Sequence, residues 1–214
     1  MIRQRTSSLR RSRQLLDDIP DSFPALQLDR HGWLRPHPYV TLLPSPNCNQ
    51  RPPDDDATLL VIHNISLPPG VFGGTQVADL FLNQLDLNSH PWLPRLRGLK
   101  VSAHFFIRRD GSVIQFVSTD QRAWHAGVSS HQGRAGCNDF SIGIELEGTD
   151  TLPYTASQYL CLSQLTPALQ TRHPLRAVRG HEHIAPGRKT DPGPSFDWAR
   201  YARDAQWSRR QLPA

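Results

Sequence analysis

Lysine, glutamate, cysteine and methionine are all scarce in this 214-residue chain. There are two Lys, at 100 and 189, three Glu, at 145, 147 and 182, and one Met, at position 1. The three cysteines, Cys48, Cys137 and Cys161, are odd in number and far apart. That argues against a disulfide framework and for a reducing compartment. No C-x-x-C pair occurs, which excludes a thiolate zinc knuckle. No apolar run approaches the roughly 20 residues needed to cross a bilayer. The start has no apolar stretch of the kind an export signal carries, so a cytoplasmic protein is expected. The patterns H-E-x-x-H, G-x-S-x-G and G-x-x-x-x-G-K-[ST] are absent, and the hydrolase and P-loop readings they would support fall away.

An excess of one sign of charge is also missing from most of the chain. The net charge is +5, but "MIRQRTSSLRRSR" (1–13) holds five Arg and no acid. The remainder carries 19 basic and 19 acidic residues. No nucleic-acid partner and no membrane association are therefore expected of the body. Residues 1–30 read as a basic, disordered extension. Residues 31–207 read as a single folded domain and 208–214 as a short tail. No internal repeat is present.

What is there reads as strands mixed with helices. "TLLVIHN" (58–64) is a continuous apolar run, the mark of a buried central strand. "VSAHFFIRRDGSVIQFV" (101–117) places two β-rich runs around Asp110-Gly111, a hairpin signal. "SIGIELEG" (141–148) alternates, with Ile142, Ile144 and Leu146 on one face and Gly143, Glu145 and Glu147 on the other. "DLFLNQLDL" (79–87) reads as a helix with Thr75 as N-cap, and "TASQYLCLSQL" opens with a Thr155/Gln158 capping box. Pro167 should kink or end that second helix. "SFDWARYARDAQW" (195–207) reads as a final helix capped by Ser195. The expected fold class is α/β (α+β), a single domain with a central mixed β-sheet flanked by helices.

Chemistry concentrates in a few positions. His63 ends an apolar strand, where an imidazole must be paired or ligated. "GHEHIAPGRKTDPGP" (180–194) gathers His181, Glu182, His183, Lys189 and Asp191 in a stretch whose Gly and Pro argue against regular structure. In extended chain His181 and His183 point the same way, and Asp191 is near enough to fold back. Zinc accepts His nitrogen and Asp oxygen, and three protein ligands leave one position open. This pattern does not choose between His181 and His183. Glu145 and Glu147 share a strand face, on which one carboxylate beside a metal offers a general base, or both simply meet solvent. Gly143 on that face leaves room for a ligand. Lys189 is a compact charge suited to an oxyanion.

Four stretches together carry a resemblance: "LLVIHNISLPPGVFGG" (59–74), "VSAHFFIRRDGSVIQFV" (101–117), "RAWHAGVSSHQGRAGCNDFSIGIELEGTDTLPYT" (122–155) and "GHEHIAPGRKTDPGPSFDWAR" (180–200). Over about residues 32–200 the chain resembles the AmpD family of cytoplasmic 1,6-anhydro-N-acetylmuramyl-L-alanine amidases. These belong to the wider group of N-acetylmuramoyl-L-alanine amidases and peptidoglycan recognition proteins. The resemblance implies a zinc hydrolase of cell-wall recycling, acting as a monomer on small anhydromuropeptides. It implies Zn2+ held by His63, His181 and Asp191, with Glu145 as catalytic acid/base and Lys189 as oxyanion stabiliser. It also implies substrate contacts from Asn64, Trp124 and His125. Lys100 and Gly136 stand where the family carries Arg, and Arg134 is a candidate substitute for the latter. A non-catalytic muropeptide-binding sensor on the same fold is the competing reading. An exported wall-degrading amidase is a third.

Overall fold

The run "TLLVIHN" becomes the middle of a six-stranded sheet. The structure is a computed structural model and describes residues 25–213. In chain order the strands are β1 (Val40–Leu42), β2 (Cys48–Gln50), β3 (Leu59–Ile65), β4 (Phe105–Ile107), β5 (Val113–Gln115), β6 (Gln121–Ala123), β7 (Ser130–His131), β8 (Arg134–Ala135), β9 (Ser141–Glu147) and β10 (Ala177–Gly180). The helices are α1 (Gln76–Phe81), α2 (Ala156–Arg172), α3 (His181–Ile184) and α4 (Trp198–Asp204). The main sheet has the order β1-β5-β4-β9-β3-β10. β4, β9, β3 and β10 run parallel, while β5 and β1 run the other way. The expected mixed sheet with flanking helices is present.

The two faces of β3 and β9 divide the molecule. Leu60, Ile62, Ile142, Ile144 and Leu146 face a core built with Tyr159, Leu162, Leu165 and Leu169 of α2 and Tyr201 of α4. Each fully buried aliphatic of this kind contributes about 1.5–3 kcal/mol. The opposite face carries Leu59, Val61 and His63, in register with Ser141, Gly143 and Glu145. Because β3, β9 and β10 are parallel, their C-terminal ends meet at one edge, where sites in open sheets collect.

Local signals hold in part. The hairpin turns at Asp110-Gly111, with Gly111 at φ 87° and the Arg108 amide donating to the Ser112 carbonyl. The capping box forms: the Gln158 amide donates to Thr155 Oγ1, and the Thr155 amide to Gln158 Oε1. α2 nevertheless runs through Pro167. The proline is on the exposed face of the helix, so the ring and the missing hydrogen bond face solvent. α1 lies earlier than expected and stops at Phe81, because Asn83 adopts φ 59° and exchanges side-chain bonds with Asn47. Thr75 makes no cap bond and pairs with Asp79 instead. The cap of α4 is Asp197, which accepts from the Arg200 amide. Ser195 turns away to the carbonyls of Asp150 and Leu152.

Both expected ends of the domain move outward. Residues 1–24 of the basic extension lie outside the described residues. Within 25–30, Leu26 is in the core and Leu28 bridges Leu34. In the expected C-terminal tail, Leu212 packs on the same core, and Arg179 donates to the Gln211 carbonyl. Apolar residues at both ends find the sheet, which a reading of charge and composition alone does not reveal. Among the described residues no helix is long and apolar enough to cross a membrane.

Candidate metal centre and active site

His63 and Glu145 are side by side on neighbouring strands, paired at the C-terminal end of the sheet. β10 ends at Gly180, and His181 follows at once in α3. The loop after α3 folds back because the Glu182 amide donates to the Asp191 carbonyl at 2.9 Å. This brings three side chains together. His63 Nδ1 and His181 Nδ1 are 3.0 Å apart, and Asp191 Oδ2 is 3.1 Å from each. The His–x–His stretch is a helical turn and not extended chain. Two residues along a helix turn the side chain through about 200°. His181 therefore points inward and is buried, whereas His183 accepts from the Gly180 amide and packs its ring on Trp198.

The three converging atoms fit a cation. His181 Nε2 is 3.0 Å from the Ala126 carbonyl, which only accepts, and 3.4 Å from Arg188 Nη2, whose shorter bonds go to the Ala126 and Val128 carbonyls, so His181 Nε2 carries the proton. A neutral ring then presents a lone pair at Nδ1. His63 Nε2 is 2.9 Å from His125 Nδ1, and burial pushes the His63 imidazole down to about 4, against imidazolium. Burial would raise Asp191, but the two imidazoles facing it outweigh that and hold it well below the usual carboxylate range. Two imidazole lone pairs and a carboxylate oxygen at this spacing repel one another unless a cation stands between them. A tetrahedral ion bound at about 2.0–2.1 Å would hold its ligands roughly 3.3 Å apart, close to the spacing seen. Among the described residues these are the three His, Cys, Asp or Glu side chains that could hold a metal together.

Glu145 faces the same space. It is 9% exposed, and its Oε2 is buried with no hydrogen-bond partner. Burial, then the Asp191 charge, raises its pKa well above the usual value, while Lys189 pulls it down. Glu147 differs: its oxygens accept from the amides of Gly73 and Arg109 and tie two loops to the sheet. Neither carboxylate lies on a solvated face. The site opens into a cavity of about 750 Å³. Glu145, Lys189, Asn64 and Trp124 line it, as does Lys100. Asn64 also donates to Asp150 Oδ1 at 2.8 Å, and Trp124 Nε1 to Asn49 Oδ1 at 2.8 Å. His125 touches the cavity, but its ring lies over Gly143 and bonds inward to His63. The room left by Gly143 is thus filled by His125 and not by a ligand. Arg134 is engaged elsewhere, in a pair with Asp55 and over the Phe140 ring, and Gly136 is in a left-handed turn; neither lines the cavity.

Two contributors were not foreseen. Arg188 donates to the carbonyls of Ala126 and Val128, which clamps the metal-side loop to the 126–128 turn. Ser141 lies on the strand face of Gly143 and Glu145, within 3.2 Å of His125 Nε2. The period-two pattern of β9 could have pointed to Ser141; no local signal marks Arg188.

Residues 53–194 match the Amidase_2 family of N-acetylmuramoyl-L-alanine amidases. The chain is 59% identical over 172 residues to the 1,6-anhydro-N-acetylmuramyl-L-alanine amidase AmpD of Citrobacter freundii, covering 79% of this chain and 90% of that protein. The chain belongs to the AmpD family of amidases. A crystal structure of a selenomethionine derivative of AmpD superposes with a TM-score of 0.79 at 56% identity, over 83% of this chain and 98% of that one. A more distant amidase, AmiD from Escherichia coli, gives a TM-score of 0.51 at 26% identity, over 84% of this chain and 65% of that one. AmiD was solved with anhydro-N-acetylmuramic acid-L-Ala-D-γ-Glu-L-Lys. The expected family and amidase fold are therefore both present in this chain.

Proposed function

We propose that this chain hydrolyses the amide between the lactyl group of 1,6-anhydro-N-acetylmuramic acid and L-alanine of the stem peptide, in peptidoglycan recycling. The observation that carries the reading is Glu145: a buried carboxylate oxygen without a partner, in the cavity beside three converging metal-ligand atoms. A sensor that only binds muropeptides has no use for that combination, which costs folding free energy.

His63, His181 and Asp191 would hold Zn2+. When bound, zinc supplies Lewis acidity toward a carbonyl oxygen and lowers the pKa of water to about 7. Glu145 takes the proton of the attacking water. A carboxylate whose pKa burial has raised holds that proton well enough to deliver it to the leaving amine of L-Ala. Lys189, exposed at the rim of the cavity, swings its ammonium toward the oxygen that gains charge. Trp124 offers its ring to the apolar face of the sugar, held by its indole bond to Asn49. Asn64 presents the remaining oxygen of its amide to the substrate while its nitrogen is held by Asp150. His125 supports His63 from behind in this scheme. Lys100, in the cavity wall, is placed to meet a carboxylate of the peptide as a point charge and not as a bidentate fork. Action as a monomer, in the cytoplasm, on small soluble fragments belongs to the same reading.

Mass spectrometry of the full chain incubated with anhydro-N-acetylmuramyl tripeptide tests it. Release of free tripeptide with zinc, abolished by a chelator, is the expected result. Substrate left intact by the zinc-loaded chain would favour the sensor.

A further inference from the structure

His125 is a buried imidazole whose two nitrogens are both engaged. Nδ1 is 2.9 Å from His63 Nε2, and Nε2 is 3.2 Å from Ser141 Oγ. Ser141 Oγ is also 2.5 Å from the Cys137 carbonyl. The backbone around the ring is fixed, because the amides of His125 and Ala126 both donate to Asn138 Oδ1. Gly143 supplies the space: a Cβ there would come within 2.5 Å of the ring.

Proton directions along this chain follow from its far end. A carbonyl oxygen only accepts, so Ser141 spends its single proton on Cys137. Ser141 Oγ must then accept from His125 Nε2–H. A neutral His125 therefore accepts at Nδ1, and His63 donates from Nε2–H. His63 Nδ1, the atom that faces His181 and Asp191, is left with its lone pair. The opposite polarity would leave the Cys137 carbonyl without its serine donor. It would also put a proton on His63 Nδ1 and close the metal position.

We infer that Ser141, through His125, fixes the tautomer of His63 so that Nδ1 faces the metal as a lone-pair donor; both are positioning residues for the zinc site. This rests on the zinc reading above and gives His125 a role other than substrate contact. Hydrogen-bond partners behind a ligating imidazole commonly change metal affinity by about 10–100-fold.

Two measurements on the full-length chain test it. Long-range 1H–15N correlation of histidine-labelled, chelator-treated protein reads the tautomers directly. The proton should be on Nε2 in His63, His125 and His181. Zinc affinity, by competition with a chromophoric chelator, should fall about 10–100-fold in His125→Phe, which removes the partner of the ligating ring. His125→Gln should restore most of it, since its amide oxygen can accept from His63 Nε2–H. Ser141→Ala, one bond further out, should lower the affinity about tenfold, the low end of that range. A proton on His63 Nδ1 in the parent, or a Ser141→Ala affinity within about twofold of the parent, would overturn the inference, being far below the expected loss. A parent chain that binds no zinc would sink the zinc reading instead, and the tautomer spectrum would still decide the proton directions.

Discussion

Alanine in place of Gly143 should destabilise the fold even though alanine suits a strand better than glycine. Its backbone φ is ordinary, so the added methyl is the only new element. That methyl would lie 2.5 Å from His125 Cγ, 2.6 Å from Nδ1 and 2.8 Å from Cδ2. Ordinary contact begins at 3.4 Å, so the ring has to withdraw by about 0.9 Å, the difference from the 2.5 Å contact. It cannot do so and keep bonds of 2.9 Å to His63 and 3.2 Å to Ser141. Its own backbone is pinned by Asn138. Overpacking of this kind costs about 1–3 kcal/mol, offset by the roughly 0.5–1 kcal/mol gained on replacing a strand glycine. A net loss of up to about 2.5 kcal/mol corresponds to a melting temperature lower by up to about 10 °C for a domain of this size. Zinc affinity should fall with it, because the displaced ring no longer supports His63. Calorimetry and chelator competition on the purified variant measure both. An unchanged melting temperature with unchanged zinc affinity would refute the packing of His125 over Gly143 and the argument built on it.

Three other perturbations have definite expected outcomes. His181→Ala should lose stoichiometric zinc, read by elemental analysis, whereas His183→Ala should keep it; the reverse would overturn the ligand choice. Lys189→Ala should lower kcat by about 10²–10³, the usual cost of one oxyanion donor, with zinc content unchanged; a kcat within a few-fold of the parent would remove Lys189 from the chemistry. Glu145→Gln should retain zinc and lose turnover. The same variant carries a pH signature in the metal-free chain. Burial raises the folded-state pKa of Glu145 above its usual 4.5, so its favourable contribution is present below that pH. The contribution is lost as pH rises and the folded state resists ionisation. Metal-free Glu145→Gln should therefore melt higher than the parent near neutral pH, and the gap should close on acidification. A parent that melts higher at neutral pH would contradict the burial argument.

Long, strongly patterned segments were legible before the structure. The apolar run of β3, the alternation of β9, the Asp-Gly hairpin and the Thr155/Gln158 capping box each encode their conformation locally. Strands such as β1, β2 and β10 have three or four residues and exist because a neighbour pairs with them, so no local pattern announces them. The choice between His181 and His183 hinged on conformation. Extended chain would align them, and the turn of α3 separates them. Gly143 reads as space for a ligand, which is sound for an isolated strand, but the space belongs to the ring of His125, just past the end of β6. Ser195 and Thr75 are good cap residues by type; their hydroxyls found tertiary partners instead.

Hydrolysis in water enriched in oxygen-18 tests the central claim most directly. The zinc-loaded chain is incubated with anhydro-N-acetylmuramyl tripeptide and the products are weighed. The account predicts anhydro-N-acetylmuramic acid carrying one heavy oxygen in its lactyl carboxylate, unlabelled free tripeptide, and neither product in the presence of a chelator. Label in the peptide, cleavage at any other bond, or turnover indifferent to the chelator would contradict it.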